Sequence, residues 1–276
     1  MNKKTFVTGM VLLAGLAMTS CRQNDGQDGF DQENKECEVY LSLNLAPGTT
    51  FFSSSADAST RAVSESAYRN VNNYNVVVLD HNGVEKLNCK ASEVASRMPL
   101  VMSIGSFEVT ASYGTESPAS RDAFYVYGHT TGMVKADQSS QVSVVCLPTC
   151  GRITVEFSSE MASYFSDYSV TFGGTEALAG GTIQWLKNDT EPWYVQLAEA
   201  GERVSFTINL TPKAEYKDAA QVKSGTFTLS RNKAYKMNIS PVYTATGSGN
   251  ATLNITVDAT TIDKECDIEV PVEWES

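Results

Sequence analysis

Apolar and polar residues alternate through most of this 276-residue chain. In residues 36–45 the odd positions are Cys37, Val39, Leu41, Leu43 and Leu45. The even ones are Glu36, Glu38, Tyr40, Ser42 and Asn44. Successive side chains of an extended chain point to opposite faces, so this run predicts a strand with one face in a core and one in water. The same period returns at 74–80, 84–87, 107–111, 123–127 and 141–147. In the second half it recurs at 153–157, 168–172, 183–186, 194–197, 204–210, 227–229, 235–239, 253–257 and 266–274. Only 91–97 and 159–165, the latter opened by Ser159, read as short helical turns. Turn chemistry separates the runs, as at Asp80-His81-Asn82-Gly83 and at the paired glycines 173–174 and 180–181. Many short strands with turns between them predict an all-β chain of sandwiches.

Pro148-Thr149-Cys150-Gly151 punctuates the chain at its middle. It divides residues 36–148 from 149–276, two units of ordinary domain size. Within the first unit, residues 46–73 lose the period. Ala46-Pro47-Gly48 opens a turn, and 53–66 is rich in Ser, Ala and Thr with single charges at Asp57, Arg61 and Glu65. This reads as an exposed, protease-sensitive loop, and loops of that length in compact domains are often functional. Arg61 is the only basic residue between Lys35 and Arg69, which makes Arg61–Ala62 the expected processing site.

The start of the chain reads as an address. Lys3 and Lys4 precede an apolar stretch at 6–18, too short to span a bilayer. Ala17-Met18-Thr19-Ser20-Cys21 resembles a bacterial lipobox, which implies cleavage before Cys21 and diacylation (palmitate-type chains) of that residue. Residues 1–20 are then a signal peptide and 21–35 an acidic tether. The net charge of −11, with 21 basic and 32 acidic residues, becomes −13 once Lys3 and Lys4 are removed. An acidic chain lacks the basic face that nucleic acid requires.

Chemistry is sparse. The chain has two histidines, His81 and His129, and no nucleophile elbow, zinc-protease helix or phosphate loop. No enzyme activity, metal or cofactor is expected. Cys37, Cys89, Cys146, Cys150 and Cys266 fit either buried thiols or, after export, at least one disulfide. Trp185 and Trp193 flank the 187–192 loop. Exposed, they could stack on a glycan; core packing around a turn is the simpler reading.

These segments together resemble the fimbrillin-like lipoproteins of Bacteroidetes, the superfamily of type V pilus subunits. The resemblance rests on the lipobox ending at Cys21, the strand 36–45, Thr60-Arg61-Ala62 in a polar loop, and Asn75-Val76-Val77-Val78-Leu79-Asp80 with its Asn82-Gly83 turn. It continues in 105–111, in Ile255-Thr256-Val257-Asp258 and in Ile268-Glu269-Val270-Pro271-Val272. It implies two transthyretin-like sandwiches in tandem, export to the outer membrane as a surface-exposed lipid-anchored protein, and cleavage after Arg61. It further implies release of the first strand and pairing with other pilus subunits by strand addition, in a pilus subunit or fimbria-associated adhesin. The alternative is a monomeric surface lipoprotein that keeps its first strand and binds a host or bacterial glycan or protein.

Overall fold

In the computed structural model the described residues are 36–48, 65–135, 140–216, 220–245 and 251–261. The expected strand 266–274, with Cys266, and the sites at Cys21, Arg61 and Ala62 lie outside them.

The alternation is realised as seventeen strands among these residues. The expected first strand is two. β1 (Glu36–Val39) pairs antiparallel with β5 (Leu100–Ser103), and β2 (Leu41–Pro47) runs parallel to β9 (Ser140–Pro148). The chain changes sheets at Tyr40 without losing its period, so Cys37, Val39 and Leu41 are all buried while Leu43 and Leu45 are half-buried. β9 continues a six-stranded sheet through β8 (Tyr125–Val134), β6 (Gly105–Gly114), β3 (Asn75–Leu79) and β4 (Glu85–Lys90), with β2 at one edge.

Residues 65–73 are not part of an exposed loop. Helix α1 (Glu65–Arg69) and a 3-10 turn at Val71–Asn73 carry Tyr68 and Tyr74 into the first core. Tyr68 Oη donates to Phe124 O (3.1 Å) and its ring stacks on Phe124 at 3.7 Å; Tyr74 Oη donates to Tyr68 O (2.8 Å). Burial raises the pKa of both phenols. Two buried aromatics with satisfied hydroxyls outweigh the polar composition of the preceding stretch. Phe107 lies flat on its cross-strand partner Gly132, where an added Cβ would come within 2.3 Å of the ring, so only glycine fits there.

The second half builds two facing sheets. One has the order β12 (Thr182–Leu186), β11 (Phe165–Gly173), β14 (Glu202–Pro212), β15 (Gln221–Leu229). The other has β17 (Ala251–Thr261), β16 (Ala234–Ala245), β10 (Cys150–Phe157), β13 (Trp193–Gln196) and β7 (Ala119–Ser120). Between them lies a core of Val170, Phe172, Phe206, Ile208 and Phe227 against Ile153, Val155, Val195, Met237 and Ile239. The predicted helical turn shortens to α2 (Met161–Tyr164), where Glu160 rather than Ser159 occupies the cap position.

The two halves interlock. Thr149 alone separates β9 from β10, and its hydroxyl donates to Gln196 Oε1 at 2.8 Å. Strand β7, from the first half of the chain, is an edge of the second half's sheet, and Gln196 N donates to Pro118 O (3.0 Å). Cys150, Tyr194 and Ala234, all on the second half's strands, pack into the first core.

Candidate functional site

The first strand is the segment whose sequence and position set it apart. Each of its halves has one hydrogen-bonded neighbour. β1 matches Glu36–Val39 to Ser103–Leu100, and β2 matches Leu41–Pro47 to Ser140–Cys146. The sheet partners on their other side are absent among the described residues, because β1 belongs to a two-stranded pair and β2 is an edge. Its anchors are apolar: Val39 is 1% exposed, Cys37 5% and Leu41 6%. Where the strand changes sheets, Leu41 N donates to Met98 Sδ at 3.4 Å and Ser140 N to Tyr40 O at 3.2 Å. The Cys37 thiol donates to Met102 O at 3.7 Å, Asn44 Nδ2 reaches Ser143 Oγ at 3.5 Å, and Gly48 N donates to Cys146 O at 3.0 Å. One further contact ties the strand's end to the other half: Asn232 Nδ2 donates to Gly48 O (2.8 Å). Lifting the strand away would uncover unpaired edges on β5 and β9 and the apolar trough between them. Unpaired N–H and C=O groups flanking an apolar trough make a template for another strand.

The tryptophans are placed differently from a stacking platform. Trp185 is fully buried against Phe172 (ring centres 5.1 Å apart), and its Nε1 donates to Glu191 O (2.9 Å). Trp193 is half-buried, and the guanidinium of Arg121 covers its ring at 4.6 Å. Ile183 and Trp185 share the inward face of β12, a signal legible in the alternation itself.

Arg121 is the residue that sequence reading missed. It follows β7 and clamps the 187–192 loop. Nη1 donates to Asp189 Oδ1 and Glu191 O, both at 2.9 Å, while Nη2 donates to Asp189 Oδ2 (2.6 Å) and Gln184 O (3.1 Å). A bidentate guanidinium–carboxylate pair over an indole fixes orientation as well as distance. Its partners are more than 60 positions away, so no local motif marks it.

Cys37, Cys89, Cys146 and Cys150 are buried, and no disulfide joins any two of them. Burial pushes the Cys146 thiol up to about 11 and raises those of Cys89 and Cys150. Those three are core thiols with suppressed thiolate character. His129 lies on the outer face of β8, 3.8 Å from Glu108. Among the described residues no three His, Cys, Asp or Glu side chains gather as a metal site, and no helix is long and apolar enough to cross a membrane.

Comparison with solved structures gives distant likenesses. They include a candidate adhesin from Bacteroides ovatus (10% identity, TM-score 0.43, covering 87% of this chain and 96% of that one). Others are a candidate cell adhesion protein from Bacteroides eggerthii (10%, 0.40, 81% and 96%) and the fimbrial anchor protein Mfa2 from Porphyromonas gingivalis (10%, 0.40, 82% and 99%). No curated protein matches the chain significantly. A family model described as a domain of unknown function, DUF4493, matches residues 38–272, and the chain belongs to that family.

Proposed function

We propose that this protein is a non-enzymatic, surface-exposed lipoprotein of the outer membrane, anchored through Cys21, that serves a fimbria as subunit or associated adhesin. Cleavage at Arg61–Ala62 frees residues 36–47, and a strand from a partner subunit replaces them. One observation carries the reading: among the described residues the first strand is apolar, lies at an edge and is held by a single neighbour along each half. Cleavage would also remove the acidic tether. Residues 22–61 hold three basic and seven acidic groups, so the chain moves from −13 to −9 as it leaves its lipid.

The test is the N-terminus of protein recovered from cells. The reading expects Ala62 in high-mass assemblies, and Arg61→Ala should leave a monomer beginning at Cys21. If wild-type protein is always intact from Cys21, strand exchange is refuted. Cys21→Ser should abolish acyl labelling and membrane fractionation; unchanged labelling refutes the anchor. The Asn232–Gly48 contact, which ties the strand's end to the second half, favours a second reading: a monomeric lipoprotein that retains its strand and binds a glycan or protein.

A further inference from the structure

In the second half, the end of β10, the turn into α2 and the β12–β13 loop enclose a cleft of about 320 Å³. That is the lower end of the range for small-ligand sites. Phe157 and Tyr168 form its wall, with ring centres 4.8 Å apart and planes inclined by 57°. Ser159, Asn188 and Thr190 stand around it, and their side chains have no hydrogen-bond partner among the described residues. Asn188 sits in the left-handed region (φ 69°), and Arg121 holds the next residue, Asp189, from outside the cleft.

The two carboxylates that line the cleft are already matched. Glu156 is paired with Lys236 at 2.7 Å, and Asp189 with Arg121. The nearby Lys187 ammonium donates to Ser166 O and lies 5.6 Å from the Tyr168 ring centre. The only charged side chains lining the cleft, Glu156 and Asp189, are thus both neutralised by a partner, and no cationic side chain lines it. What the cleft offers is an aromatic wall and a rim of neutral donors and acceptors on a loop fixed in advance.

We infer that this cleft binds a neutral saccharide unit, a hexose or N-acetylhexosamine residue of a glycan. The C–H face of the sugar lies against Phe157, and its hydroxyls bond to Ser159, Asn188 and Thr190. The site is made of residues other than those of the first strand, so binding can be read on an unprocessed monomer whether or not strands exchange.

The full chain would be applied to an array of neutral oligosaccharides built from hexoses and N-acetylhexosamines, with their sialylated and sulfated counterparts alongside. Binding is expected to neutral members. Ala162→Trp, which fills the cleft from an exposed position on α2, should cut it at least tenfold, as should Asn188→Gly combined with Thr190→Ala, with melting unchanged. Should either variant melt early, Ser159→Lys, at an exposed position, tests the same cleft. No glycan binding, binding confined to the sialylated or sulfated members, or binding undiminished in variants that melt normally would each overturn the inference.

Discussion

Starting the chain at Ala62, as cleavage after Arg61 would leave it, removes Val39 and Leu41 from sites where they are 1% and 6% exposed. Burying a Val or Leu side chain is worth about 1.5–3 kcal/mol, so these two contribute about 3–6 kcal/mol of gross apolar burial. Cys37 and the half-buried Leu43 and Leu45 add to it. Whole domains are stable by only about 5–15 kcal/mol. The shortened chain should therefore melt far below the full one or associate through its open trough. A synthetic peptide covering residues 36–48 should restore it in trans. The assay is thermal melting by circular dichroism together with size-exclusion chromatography, with and without peptide. A peptide carrying Val39→Asp and Leu41→Asp should have no effect. If the shortened chain melts like the full one and ignores the peptide, the first strand is not integral to the core and the reasoning fails.

Arg121→Ala should destabilise by about 1–3 kcal/mol, because Asp189 loses its ion-pair partner and the Glu191 and Gln184 carbonyls each lose one of two donors, the other being an indole N–H. In a chain this size that lowers Tm by about 2–4 °C per kcal/mol, and tryptophan emission should shift to the red as Trp193 is uncovered. Arg121→Lys should not restore it, since an ammonium cannot form the fork. Burial opposes ionisation of Asp80, but hydrogen bonds from Val84 N, Asn82 N and Lys86 outweigh it and hold the carboxyl below its usual range. That contribution is present at neutral pH and lost as pH falls below about 4. The stability gap between the parent and Asp80→Asn should close over that fall in denaturant titrations, and a constant gap refutes the assignment. The buried thiols act in the opposite direction. With Cys146 held near 11 in the fold against an ordinary 9.0, stability is full below pH 9 and declines as pH rises towards 11. All four described thiols should also resist a thiol reagent until denaturant is added; prompt native labelling would contradict their burial.

How much of this was readable from the residues depends on what each feature needs. Alternation identifies strands because it reports burial, and β3, β9 and β14 emerge where the period places them. It is blind to partners. The period crosses Tyr40 unbroken, so nothing in residues 36–45 reveals that Val39 pairs with Leu100 while Leu41 pairs with Ser140. β5 escaped notice because three of its four residues, Leu100, Met102 and Ser103, are buried, and buried neighbours erase the alternation. β7 is two residues long and exists through β13. The polar reading of 65–73 failed on Tyr68, whose ring stacks on Phe124 and meets Tyr113 edge-on and matters more than the Ser and Asn around it. Trp185 was legible as core, since Ile183 lies two residues before it on the same face. Arg121 was not, because a clamp made to residues some 68 positions distant leaves no local trace.

The parallel pairing of β2 with β9 sets the order in which the molecule can be completed. Asn44 and its neighbour Ser143 are 99 positions apart, and Cys37 lies 65 positions from Met102. Contacts of such high contact order come late, because closing the intervening chain costs entropy before any contact offsets it. On that argument residues 36–47 are expected to dock late, leaving the trough vacant until they do. Tethering gives the chain's own strand a local concentration in the millimolar range, enough to win when molecules are dilute. Neighbouring copies at high concentration would erode that advantage. Under the proposed strand exchange, competition between self and neighbour would begin in the folding order, ahead of the proposed cleavage.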